Sequence, residues 1–143
     1  MNELQIQKIL YRKYFKTSRL LIPNCYIGRY EADMLRVMFS NYLIEYEIKL
    51  TRSDFKAESR KKNKYRQLMA GKRVNKFWYV CPPDVIPINV VPQGLGLIYI
   101  VRGRLIQLRQ AKLLTTAKIP TTNLIKLYRK LYFRFWDMKL KSK

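Results

Sequence analysis

Leu43-Ile44-Glu45-Tyr46-Glu47-Ile48-Lys49-Leu50 decides how this chain is read. Ile44, Tyr46, Ile48 and Leu50 alternate with Glu45, Glu47 and Lys49, the period of a β-strand, in which successive side chains point to opposite faces. The apolar set takes a buried face, and the two glutamates and the lysine share the other. A second strand-like run, Glu31 to Phe39, carries Asp33, with Ser40-Asn41 as the turn between the two runs. A carboxylate on one strand facing Glu-x-Lys on the next is enough to hold a divalent metal beside a phosphodiester. A surface strand carrying a cross-face ion pair would show the same residues, so the rest of the chain has to decide.

The chain has 143 residues, a length for one domain with a core of its own. Thirty Lys and Arg stand against nine Asp and Glu, a net charge of +21. Such charge repels itself, which calls for a polyanionic partner, nucleic acid first and an anionic membrane second. An apolar content of 48% excludes a disordered basic tail. Cys25 and Cys81 are far apart and no apolar leader opens the chain, so a reducing, cytoplasmic setting is expected, with both thiols acting as small core hydrophobes. For a phage-encoded protein this would be the host cytoplasm. Pro, Arg and Lys interrupt every apolar stretch, and no membrane span is expected. Histidine is absent, which removes His triads, His general bases and His metal sites. Hydrolytic chemistry would rest on carboxylates, Lys, Tyr or a metal with oxygen ligands, magnesium or manganese.

Residues 2 to 16 read as a helix, with Glu3, Ile6, Leu10 and Tyr14 on one stripe. Leu20 to Ile27, broken by Pro23, reads as an edge strand. Strands over Glu31 to Phe39 and Leu43 to Leu50 follow. Ser53 is the expected N-cap of a helix with Asp54 in its first turn, running to about Ala70 and stopped by Gly71. Lys76 to Cys81 is a strand ended by Pro82-Pro83. Gly96 to Val101 and Leu105 to Arg109 read as a hairpin around Arg102-Gly103-Arg104. Residues 122 to 139 form a last helix of interleaved aromatic and basic residues. The expectation is an α/β fold, a three-layer-like sandwich on a mixed central sheet. It would be a single domain over residues 1–143, with a core at about 2–110 and the C-terminal basic helix beside it.

The order helix, three strands, helix, strand, with Asp33 on the second strand and Glu47-Ile48-Lys49 on the third, resembles the core of the PD-(D/E)xK nuclease superfamily, which has a restriction-endonuclease-like fold. More narrowly, residues 29 to 101 resemble the MmcB-like DNA-repair family and related phage-borne proteins. The likeness rests on Arg29 through Asp33, Glu47-Ile48-Lys49, Ser53-Asp54-Phe55 with Glu58 and the basic run after it, Lys76-Phe77-Trp78-Tyr79-Val80, Val91-Pro92, and Gly94-Leu95-Gly96-Leu97-Ile98. Glu58 stands where the family more often has Asp, and a tryptophan common after those basic residues is missing. The resemblance implies a metal-dependent nuclease fold acting on DNA in repair or recombination. Asp33 and Glu47 would be its metal ligands and Lys49 its catalytic amine.

On that reading Asp33 and Glu47 bind magnesium or manganese, with the carbonyl of Ile48 as a third ligand. Lys49 orients the attacking water or offsets charge in the transition state. Glu45 shares the face of Glu47, Glu31 shares that of Asp33, and Glu3 lies on the stripe of the first helix, which makes these three the accessory acids. Nucleic-acid contacts are expected from Lys56, Arg60, Lys61, Lys62, Lys64 and Arg66, a basic run without acidic partners at i+4. In the last helix Leu124, Leu127, Leu131, Phe135 and Met138 form the expected core stripe. Lys126, Arg129, Lys130 and Arg134 make a positive face there, and Phe133 and Trp136 are available to stack on bases or to pack on the sheet. The expected function is a magnesium-dependent, structure-selective DNA endonuclease of repair, recombination or phage DNA processing, with a homodimer as one open arrangement. The alternative is a non-catalytic nucleic-acid-binding protein on the same fold.

Overall fold

The structure, a computed structural model, describes residues 1–142, the side chain of Ser59 excepted. Helix α1 (Glu3–Tyr14) opens it, and three strands follow: β1 (Leu20–Ile27), β2 (Tyr30–Val37) and β3 (Leu43–Ile48). Helices α2 (Arg52–Ala57) and α3 (Lys62–Met69) lead to β4 (Lys76–Cys81). The hairpin β5 (Gly96–Val101) and β6 (Arg104–Arg109) comes next, and α4 (Thr121–Lys141) closes the chain. The six strands form one mixed sheet in sequence order, antiparallel except for β3–β4 and β4–β5. Parallel neighbours need a crossover, which α2–α3 provides for the first pair and residues 82–95 for the second.

Three layers result. On one face Ile6 and Leu10 of α1 pack on Met34, Ile44, Tyr46, Ile48, Trp78, Val80 and Ile98. On the other face Leu35, Phe77, Tyr79 and Leu97 meet Leu68 of α3 and Leu127 and Leu131 of α4. Asn2 caps α1 through a reciprocal pair: its Oδ1 accepts from Gln5 N at 2.9 Å, and Gln5 Oε1 accepts from Asn2 N at 2.8 Å. The turn after β5 needs left-handed backbone at Arg102 (φ 51°) and Gly103 (φ 75°), the geometry of a tight hairpin. Both cysteines are buried and free.

The segment after β3 departs from the expected single helix. Its N-cap is Thr51, not Ser53: Thr51 stays extended (φ -136°, ψ 160°) and its hydroxyl accepts from Asp54 N at 3.1 Å. The helix then breaks through a 3-10 turn at Glu58–Arg60 and at Lys61 (φ -94°, ψ 52°). That break turns both Glu58 and Lys64 toward the sheet. The last helix departs as well. Leu124 is buried and Leu127 and Leu131 half-buried, but Phe135 and Met138 are 52% and 71% exposed, because α4 outruns the core beneath it.

An extended strap from 110 to 120 carries the chain to α4, held by Leu114 N to Asn75 O (2.7 Å) and by the Asn75 amide to Thr115 O and Ala117 O (both 2.8 Å). At Gly96 the indole of Trp78 lies so close that a Cβ would overlap its six-membered ring sterically. Gly96→Ala should therefore cost about 1–3 kcal/mol through overpacking. Urea denaturation measures the loss, and an unchanged midpoint would contradict this packing.

Candidate active site

Glu45, Glu47 and Lys49 share one face of β3, as the alternation requires, yet that face is roofed by α3 rather than open to water. Glu45 is 0% and Glu47 3% exposed. Charge at such depth has to be paired, and the pairing forms a continuous row. Arg73 grips Glu45 at 2.6 Å, and Lys64 bridges Glu45 (3.3 Å) and Glu47 (3.1 Å). Lys49 bridges Glu47 (3.2 Å) and Glu58 (3.0 Å), and Lys61 closes the row on Glu58 at 3.2 Å. Three carboxylates thus alternate with four cations.

Asp33 lies beside the row at a defect in the sheet. The β2–β3 ladder ends at Met34↔Tyr46. Beyond it Ile48 N–H donates at 2.7 Å to Asp33 Oδ2, so a side chain replaces the next backbone partner. Opposite, Asn24 takes a left-handed φ of 50°. Ile22 and Cys25 both face one core although an odd number of residues apart, as do Ala32 and Leu35, so both strands rotate here. A polar group fills the opening: Gln7 Nε2 donates to Asp33 O (2.9 Å) and Asn24 Oδ1 (3.0 Å), and the Asn24 amide donates to Glu31 (3.0 Å) and Glu3 (3.3 Å).

The two expected ligands differ electrostatically. Burial pushes the Asp33 carboxyl up to about 8, with the nearby Glu47 adding to it, against the pull of the Ile48 N–H. Burial also raises Glu47, but Lys64 and Lys49 hold it back. Burial works against the Lys49 ammonium, yet Glu47 and Glu58 outweigh it and its pKa is raised. For Glu58 the cations win: Lys64 and Lys49 overcome burial and lower it. Lys49 is therefore a firmly protonated amine, and Asp33 is a carboxyl on which burial and Glu47 outweigh the Ile48 N–H and the Lys49 charge.

The donors at this point are oxygens. Asp33 keeps its second carboxylate oxygen free of the Ile48 bond, while Glu47 shares both of its oxygens with ammonium groups. Among the described residues no group of three or more His, Cys, Asp or Glu converges as a metal cage. Two carboxylates and a carbonyl suit magnesium, which keeps several waters and takes few protein ligands.

The accessory acids separate. Glu3 and Glu31 meet at Asn24 beside Asp33. Glu45 differs from expectation: Arg73 binds both its oxygens, at 2.6 and 2.9 Å, and it serves as a buried structural acid. Among the basic residues, Lys56, Arg60, Lys62 and Arg66 are exposed. Lys64 is not available to phosphate, since it is 2% exposed and spent on Glu45 and Glu47. The four α4 cations divide in their contacts. Lys126 and Arg129 are exposed, Lys130 reaches toward Cys25, and Arg134 donates at 2.6 Å to both Pro23 O and Asn24 O, satisfying the open edge of β1. Phe133 and Trp136 remain about half exposed. Sequence reasoning missed Arg73 and the inward role of Lys64, because their partners lie 28 and 17 residues away with no local pattern to announce them.

No family model and no curated protein matches the chain. Among solved structures it is similar to a protein of unknown function from Silicibacter pomeroyi, at 14% identity and a TM-score of 0.74 over 99% of this chain and 92% of that one. This likeness shows a shared fold. No helix among the described residues is long and apolar enough to cross a membrane.

The raised Asp33 carboxyl has a stability consequence. In metal-free protein the folded state keeps this proton up to about pH 8, whereas the unfolded chain releases it near the ordinary 3.8. Between those values the unfolded state binds fewer protons, so the Asp33 contribution falls as pH rises. Asp33→Asn should remove that decline and be the more stable protein at pH 8. Urea midpoints of both proteins across this range test it, and parallel curves would reject it.

Proposed function

We propose that this protein is a metal-dependent deoxyribonuclease of the PD-(D/E)xK type, hydrolysing phosphodiester bonds of DNA as a structure-selective endonuclease in repair, recombination or phage DNA processing. The observation that carries the reading is Asp33 on Ile48 N–H, beside Glu47, with Lys49 held 3.2 Å from Glu47. A surface ion pair would have no use for a half-buried carboxyl, seated on a backbone N–H, next to a second one. The net charge of +21 supports a polyanionic substrate.

Asp33 and Glu47, with the Ile48 carbonyl, would hold magnesium or manganese. When bound, such an ion polarises a phosphoryl oxygen and lowers the pKa of a bound water. Positive charge at this point would favour ionised Asp33, so binding of such an ion would release the Asp33 proton. Lys49, kept protonated by Glu47 and Glu58, offsets charge on the phosphorane-like transition state. Glu58 aims that ammonium and so acts as a positioning residue. Binding requires Lys64 to yield one Glu47 oxygen. That demand favours a second reading, a nucleic-acid-binding protein without catalysis, in which the row of ion pairs stays closed.

Manganese or magnesium should raise the melting temperature of the wild type by mass action. Asp33→Asn should lose that increment and all cleavage of branched and linear DNA, while its affinity for DNA in EDTA stays within about twofold, since phosphate contacts supply most of the binding. Binding without cleavage in any metal would establish the second reading instead.

A further inference from the structure

Below the break between α2 and α3 the molecule has a cavity of about 560 Å³, within the size range of small-molecule sites. Its walls are Phe55, Tyr65, Phe77, Tyr79, Val90 and Pro92. The rings stand at angles: Phe55 meets Tyr79 edge-on at 5.3 Å, and Phe77 meets Tyr79 edge-on at 5.0 Å. Tyr65 stands at the mouth, 44% exposed. The exposed Lys62 and Arg66 also border the opening.

The cavity borders the candidate active site through two shared side chains. Glu58 and Lys64 line it, and the same two side chains contact Lys49 (3.0 Å) and Glu47 (3.1 Å). An occupant of this cavity therefore lies two ion pairs at most from the proposed ligand Glu47.

We propose that this cavity receives one unpaired base of a DNA strand, placing the adjoining phosphodiester at Asp33, Glu47 and Lys49. This rests on the nuclease reading for its choice of ligand. Tyr65, 44% exposed, and the half-buried Phe55 offer ring faces on which any base stacks, and the cationic rim matches the phosphates on either side of it. A base inside a duplex is stacked on both faces and paired at its edge, so it cannot enter without being flipped out. The cavity thus selects frayed ends, flaps and single-stranded stretches over continuous duplex. It gives the structure selectivity a physical source.

The test is equilibrium binding in EDTA, where no metal-dependent cleavage occurs, by fluorescence anisotropy of a labelled single strand, a blunt hairpin and an RNA of the same sequence. Tyr65→Ala should weaken single-strand binding by about 5- to 100-fold, the range of one lost base stack, and leave the hairpin unchanged. Tyr65→Phe should keep wild-type affinity. Val90→Trp, which fills the cavity from another wall, should reproduce the Tyr65→Ala loss, and unchanged melting temperatures would show that both variants fold. Equal losses on strand and hairpin, or no loss on either, would overturn the proposal. So would dAMP alone binding more tightly than the strand, or the RNA more than tenfold more tightly than DNA. Because the readout is binding, an inactive metal site leaves these outcomes intact. A variant that cleaves normally without losing strand affinity would end the base pocket and leave the nuclease standing.

Discussion

Two buried glutamates on a central strand of the sandwich set the terms for everything around them. Glu45 and Glu47 lie on β3, between β2 and β4 and beneath α3. Unpaired, either would neutralise or unfold its surroundings. Arg73 therefore has to come inward from the segment before β4, and Lys64 from α3. Arg73 also donates to Ile27 O at 2.7 Å and Tyr30 O at 3.2 Å, which ties the β1–β2 turn to the same row. The broken helix follows from the same need, since the break at Lys61 lets Glu58 and Lys64 both reach the sheet. A buried row of this kind contributes little net stability compared with an apolar core, yet losing one member costs about 3–5 kcal/mol. It acts as a constraint on geometry, allowing one arrangement of α3 over β3.

Asp33 stands outside that compensation. The row balances Glu45, Glu47 and Glu58 with cations, whereas Asp33 receives a single backbone N–H. The rotation of β1 and β2 at Asn24 and Asp33 opens the ladder at that point, and Gln7 of α1 fastens the far side. One left-handed residue within the edge strand β1, Asn24, thus gives the carboxyl its place, and burial beside Glu47 gives it its electrostatics. Under the proposed reading Asp33 is the functional feature, because a carboxyl outside the ion-pair row, beside a second carboxylate, has a raised proton affinity that a cation can replace.

Charge outside the row has a different distribution. Most of the excess cations lie on the surface, with Lys62 and Arg66 beside the aromatic cavity and Lys126 and Arg129 on α4. Arg134 is an exception with a structural task, since it covers carbonyls of the β1 edge where Pro23 already prevents a regular ladder. α4 is anchored over its first half through Leu124, Leu127 and Leu131 and carries exposed aromatic residues beyond them.

The sequence by itself determined the strands, the turns and the polar face of β3. These are local properties: period-two alternation over Leu43–Ile48, the Pro82-Pro83 stop after Cys81 and the tight turn at Arg102-Gly103 each depend on neighbours in the chain. It also placed Asp33 next to Glu47, because a short turn at Ser40-Asn41 fixes the pairing of the two strands. The tertiary structure decided what covered that face. Alternation separates two sides of a strand without saying which side meets water, and here both are buried. Lys64 reads as one more cation of a solvated basic run, and only the packing of α3 on β3 turns it onto Glu45 and Glu47. The length of the core stripe on α4 was likewise settled by where the sheet beneath it ends, a boundary that helical periodicity does not contain.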